Sequence, residues 1–278
     1  MTEEDEMKAA IQAVIQSMMD KVMENVLIND PFLVDKHHAK KPLYAALVPD
    51  EIFKGSHFER RFVTPFGTVW ERLAAVAASY GLGYGATSYK ITGNIREGRL
   101  IRINEVLNNL EHRPKKSTLK PNWNNELAYI IAGNGSEIPV TVICDLYVED
   151  TQTNKKYSFE LKAPLPNSDQ TKVSKEKIFK LYAMDPCPID KAFFALPYNP
   201  YGIARDEYVW PFPSRWFDMK NDPVVLIGND FWEMIGGAGT YQSFISAINE
   251  IGLYYKERIY REFLGIEPPK GFDFHQLS

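Results

Sequence analysis

A mixed β-sheet flanked by helices, an α/β fold, is what this sequence predicts, and three runs of residues predict it. Residues 140–148 are rich in β-branched and aromatic side chains, and a second such run at 157–162 follows a polar turn, so the two form a hairpin. Residues 171–184 then take a helical period, with Val173, Ile178, Leu181 and Tyr182 inward, and residues 192–196 return to a strand. Hairpin, helix, strand is a core that later elements can extend.

The elements around that core follow in order. Residues 3–28 read as a helix, because Ile11, Val14, Ile15, Met18, Met19, Val22 and Val26 recur at steps of three and four, and Asn29-Asp30-Pro31 stops it. One helix over residues 58–80 is expected next, with Phe62, Val69, Trp70, Leu73, Ala74 and Ala77 inward and Gly81 at its end. Residues 101–111 and 124–132 are further helices. After the core, residues 224–227 form a fourth strand and residues 240–263 a closing helix. Pro164 and Pro166 terminate the second hairpin strand. No linker or repeat divides the 278 residues, so one domain over 1–278 is expected.

Composition removes several function classes. With 45% apolar and 24% charged residues the chain is an ordinary globular one. An acidic start that turns into an amphipathic helix is no secretory signal, and no apolar run spans a bilayer, so a cytoplasmic protein without membrane contact is expected. Cys144 and Cys187 are too few for a zinc ribbon and suit a reducing compartment, with Cys144 a buried free thiol. Adjacent His37 and His38 point apart on a helix and make a poor metal pair. Gly81-Leu-Gly83-Tyr-Gly85 follows a helix and not a strand, so it reads as a helix-ending turn and not a nucleotide loop. The formal charge of −4 tells against a generic polyanion binder, yet lysine and arginine concentrate between Lys155 and Lys180 and between Lys90 and Lys120.

The hairpin carries the chemistry. With its turn centred between Gln152 and Thr153, residues whose numbers sum to 305 lie opposite, and Asp145 faces Glu160. Opposed residues of an antiparallel pair share a face, and Lys162, two beyond Glu160, shares it too. Like charges at opposed positions destabilise a sheet unless a cation resolves them. Magnesium takes a few carboxylate oxygens and keeps positions for water and phosphate. A neighbouring lysine can hold a scissile phosphate or act on the attacking water. The set Asp145, Glu160 and Lys162, with Asp145 and Glu160 as metal ligands, is therefore equipment for Mg2+-dependent phosphodiester hydrolysis. A solvated ion-pair cluster on a surface hairpin is the competing reading.

Residues 144–184, CDLYVEDTQTNKKYSFELKAPLPNSDQTKVSKEKIFKLYAM, resemble the TdeIII-type family of type II restriction endonucleases in the PD-(D/E)xK superfamily, and FERRFVTPFGTVWERLA at 58–74 is similar to it as well. The resemblance covers most of residues 58–200. It implies a restriction-endonuclease-like core at about 139–200, a homodimer, no organic cofactor, and Mg2+-dependent cleavage of double-stranded DNA at a short palindromic, GGNCC-like site. The proline that often precedes the first catalytic aspartate is here Cys144, a position that varies widely in the superfamily. Asn167, Ser168, Asp169 and Gln170, leading into a helix with Lys172 and Lys175, then become the expected DNA-reading surface, since such side chains address base edges and a helix N-terminus attracts phosphate. Without the resemblance, this segment is a capped helix with a solvated lysine face. Glu59 and Glu71 are weaker carboxylates for the metal side, with surface salt bridging as the alternative. A structure-specific repair or junction nuclease and a non-catalytic DNA-binding protein are the competing functions.

Overall fold

The computed structural model describes residues 2–113 and 120–269. Lys115 and Lys116 of the second basic stretch lie outside these residues. The chain divides into two compact units, Met1–Leu73 with Gln242–Ser278, and Ala74–Tyr241.

In the first unit, α1 (Glu3–Glu24) starts with a capping box between Thr2 and Asp5 and buries the expected stripe from Ile11 to Val22. A π-helical turn, Asn25–Asn29, extends it. Then come α2 (Val34–Lys40), α3 (Pro42–Ala45) and α4 (Asp50–Val63). The single helix expected over residues 58–80 is corrected here, because the structure has α4 and α5 (Phe66–Gly81) with a break at Thr64 and Pro65. Pro65 has no N–H with which to continue α4, while its carbonyl accepts from Val69 N–H and opens α5. Val69, Trp70, Leu73, Ala74 and Ala77 are buried as the period requires.

The second unit holds a strand that the sequence analysis misses, β1 (Gly83–Arg96). It is followed by α6 (Glu97–Glu111), α7 (Trp123–Ile131), β2 (Glu137–Asp150), β3 (Lys155–Leu161), α8 (Ser168–Ala183), β4 (Lys191–Leu196), β5 (Val225–Ile227) and α9 (Asn229–Gly236). The closing helix α10 (Thr240–Arg258) ends in a π-helical turn, Ile259–Leu264. The glycine-rich run is a helix-to-strand turn: α5 ends at Gly81 and Gly83 starts β1 with φ +95°, where a side chain would meet Thr151.

The strands form one mixed sheet in the order β1-β2-β3-β4-β5, antiparallel in the first two pairings and parallel in the last two. The β2–β3 register is the expected one, with Leu146 opposite Phe159 and Asp150 opposite Lys155. On one face, α8 buries Ile178, Phe179 and Leu181 in a core shared with Val142, Cys144 and Phe194. Val173, expected inward on α8, is instead about half exposed. On the other face, Phe159 stacks on Phe193 at 5.3 Å and meets Phe231 of α9 edge-on at 5.7 Å. Helices thus cover both faces of the sheet around the hairpin.

Candidate active site

The hairpin ladder stops where the carboxylates begin. Leu146 and Phe159 are the last paired residues of β2 and β3, and beyond them Asp145 Oδ2 accepts the Leu161 N–H at 3.0 Å. The neighbouring strand breaks at the same level, since Thr87 and Tyr89 pair with Leu146 and Cys144 while Ser88 between them has φ 51° and no partner in the ladder. A left-handed residue in a strand reverses which side chains face which way. β2 changes face at the same level: Val142 and Cys144 before Asp145, and Tyr147 after it, belong to the same core. Asp145 therefore sits at a kink shared by two strands.

Asp145, Glu160 and Lys162 come together as expected. Lys162 Nζ lies 2.5 Å from Asp145 Oδ2 and 3.6 Å from Glu160 Oε2. Its own backbone N–H is tied to Ala195 O at 3.1 Å, which anchors the end of β3 to β4. A fourth member comes from α8, unforeseen in the sequence: Lys177 Nζ donates to both Glu160 oxygens at 2.9 Å and lies 3.5 Å from Asp145 Oδ1. Its only sequence signal is its place on the first helix after Glu160-Leu161-Lys162, because which face it occupies depends on how α8 rolls onto the sheet.

The electrostatics follow from burial. Glu160 is fully enclosed, and desolvation, followed by the Asp145 charge, pushes its carboxyl up to about 7 against the pull of Lys162 and Lys177. Burial pulls Lys177 down, but Glu160 and Asp145 outweigh it, and its net shift is upward. Two carboxylates drawing in two ammonium groups mark a place where positive charge is wanted. All the side-chain donors are oxygens, which suits a hard divalent cation better than zinc. Among the described residues no three or more His, Cys, Asp or Glu gather into a metal-holding group. Asp145 and Glu160 are two carboxylates that could hold such an ion, with water and phosphate oxygens completing its shell.

The expected DNA-reading residues fare unevenly. Asn167 and Gln170 engage each other in the capping box of α8, Asn167 Oδ1 accepting Gln170 N–H at 2.8 Å and Gln170 Oε1 accepting Asn167 N–H at 3.3 Å. Ser168 Oγ accepts from Trp216 Nε1 at 3.0 Å, while Asp169 is exposed. Lys172 Nζ pairs with Glu111 at 2.6 Å above the Trp216 ring. Lys175 is corrected: it is fully buried, donates to Trp216 O and pairs with Glu126 at 2.5 Å. The helical period that puts Lys175 beside Lys172 omits the 216–222 segment, which covers that face.

Comparison with known proteins agrees with this geometry. A family model described as "Type II restriction endonuclease, HinfI" matches residues 7–252. Among curated proteins of Herpetosiphon aurantiacus, the type II restriction enzyme HgiCII is 27% identical over 81% of this chain and 82% of its own length. HgiBI is 27% identical over 84% of this chain and 85% of its own, and HgiEI 28% identical over 81% of each. The resemblance to type II restriction endonucleases holds at that level, with HinfI as the matched family. The chain belongs to the HinfI family of type II restriction endonucleases and is a site-specific nuclease whose partner is DNA.

Proposed function

We propose that this nuclease cleaves double-stranded DNA with Mg2+ held by Asp145 and Glu160, and that Lys162 acts at the scissile phosphate. The observation that carries the reading is the convergence of both hairpin carboxylates on the Lys162 ammonium, within 3.6 Å of each, at the open end of the hairpin ladder. When bound, the ion stabilises charge on the phosphoryl oxygens and lowers the pKa of the attacking water. Asp145, fixed by the Leu161 N–H, presents its carboxylate at the strand kink, and Glu160 supplies a second from the floor of the site. Lys162 is placed to donate to a phosphate oxygen or to move a proton from the water. Lys177, which donates to both Glu160 oxygens, would hold that carboxylate in place where no ion is bound.

The catalytic core at about 139–200 falls wholly in the unit Ala74–Tyr241. Asn167, Ser168, Asp169, Gln170 and Lys172 stay the proposed DNA-facing strip, with their internal hydrogen bonds exchanged for contacts to DNA, and Lys175 is withdrawn from it. The recognition site is proposed to be a GGNCC-like palindrome cut by a homodimer, a reading that rests on the resemblance over most of residues 58–200, and the enzyme is proposed to work in the cytoplasm. Incubating a sequenced plasmid with the protein and Mg2+, then mapping the ends, tests this. Discrete fragments ending at one palindrome are expected, with none in the presence of EDTA. Cutting that follows DNA junctions, or that persists without a divalent ion, overturns it.

A further inference from the structure

A second concentration of positive charge lies in the first unit, on residues to which neither the catalytic hairpin nor the α8 strip belongs. The loop after α1, helix α2 and helix α4 enclose a cavity of about 340 Å³ whose lining includes Lys36, Lys40, Lys41, Arg60 and Arg61. Asp30 is the one carboxylate among the lining residues, and it is taken up by Arg61. Lys36, Lys40, Lys41 and Arg60 form no ion pair among the described residues. On a chain of net charge −4, four unpaired cations around one concavity are a local reversal of sign.

The wall itself lacks a partner for its polar groups. His37 Nε2 is buried with no hydrogen-bond partner, and so is Arg61 Nε. Arg61 is nonetheless held in place, donating to His57 O at 3.1 Å. His57 Nε2 is in turn bonded to Asp30 O at 2.7 Å, and burial, then the Arg60 charge, keeps this imidazole below its usual pKa. Phe53 packs against His37 with ring centroids 4.2 Å apart, and Phe32 lies 5.4 Å from the same ring. Aromatic walls lower the local dielectric and strengthen the field of the cations at the mouth. A buried nitrogen without a partner and cations without carboxylates together describe a site for an oxyanion.

We infer that this cavity binds a phosphodiester of the DNA backbone other than the scissile one. The inference rests on the reading of the chain as a DNA nuclease and adds to it a backbone clamp of its own. Phosphate contacts fix register and strengthen binding without reading sequence. Each one lost should lower the slope of log affinity against log salt by about 0.9.

The test uses Lys40→Ala/Arg60→Ala and its reversal Lys40→Glu/Arg60→Glu in the full chain, since both side chains are exposed and Arg61 stays intact. Duplex binding in Ca2+ is titrated across salt, and single-turnover cleavage in Mg2+ is measured at saturating enzyme. Roughly tenfold weaker binding for the alanine pair, a shallower salt slope, a larger loss for the glutamate pair and an unchanged cleavage rate are expected. Wild-type affinity and slope in both variants, with duplex still bound and cut, overturn the cavity alone. A wild type that neither binds nor cuts duplex fails the nuclease reading first, and the DNA assignment with it. Inorganic phosphate is the other source of the same chemistry. If it raises the melting temperature of the wild type but not of the variants, while their DNA slopes match, the cavity is a small-anion site and the inference fails.

Discussion

Glu160 and the two lysines around it tie the chemistry of the site to pH. A carboxyl raised to about 7 from an ordinary 4.5 binds its proton more tightly when folded than when unfolded. Its contribution to stability is therefore complete below about 4.5 and is lost as pH rises through about 7. A divalent ion competes with that proton, so the Mg2+ concentration giving half-maximal cleavage should fall as pH rises from 5.5 towards 7 and level off above, as read from single-turnover rates. A midpoint independent of pH in this window removes Glu160 as a ligand. Lys162→Ala should lose several kcal/mol of transition-state stabilisation, by analogy with removing a preorganised charge-stabilising group, and keep duplex binding in Ca2+. Near wild-type cleavage by that variant would return the hairpin to a plain ion-pair cluster. Lys177→Ala separates a placeholder from a catalyst. If Lys177 only occupies the space between the carboxylates, its loss should lower the Mg2+ midpoint and leave the saturated rate within about tenfold, whereas abolished cleavage at saturating Mg2+ makes Lys177 part of the chemistry. Asp145, Glu160 and Lys162 were legible because the hairpin register carries on to bring them to one face, although the ladder itself ends at Leu146 and Phe159 and the kink at Asp145 was not foreseen. Lys177 was not, because nothing local states how far α8 rotates on the sheet.

At the scale of elements, α8 is pinned by a buried cation. Lys175 contacts Glu126 of α7 and the carbonyl of Trp216, with the Phe179 and Phe217 rings 5.3 and 4.9 Å from its ammonium. Truncating one partner of a buried pair leaves the other uncompensated, so Lys175→Ala should cost about 3–5 kcal/mol of stability, measured by urea unfolding. Lys172→Ala, whose pair with Glu111 is partly exposed, should cost under about 1 kcal/mol and act on DNA affinity instead. Equal stability losses would mean that Lys175 is not the anchor. The hairpin was legible because β-branched residues flank a polar turn, and the register fell out of the turn centre. β1 was not, since Gly83, Gly85 and Gly93 lower its strand propensity and the Ser88 kink breaks its alternation. The α4–α5 break shows the opposite fault: an apolar period carried across Pro65 outweighed the proline that ends it.

At the scale of the whole molecule, the proposed palindromic target bears on how many chains make one cut. A palindrome has a two-fold axis, and cutting both of its strands calls for two copies of the Asp145 and Glu160 site related by a matching axis. The apolar stripe of α1 is not free for such an interface, because Ile11, Val14, Met18 and Val22 are buried. In the first unit, Leu43 is 78%, Leu47 80% and Ile52 62% exposed, close together in sequence. Where exposed apolar side chains form one patch, they mark a contact surface more often than chance exposure. A stable dimer needs about 1,200–2,000 Å² of total buried surface, so charge placed within it should disrupt pairing. Sedimentation of the wild type with cognate duplex should give two chains per duplex. Leu43→Glu/Leu47→Glu should sediment as a monomer and convert double-strand cuts into nicks. A wild type that stays monomeric on duplex while cutting both strands contradicts the dimer, and a variant that still pairs moves the interface to another surface.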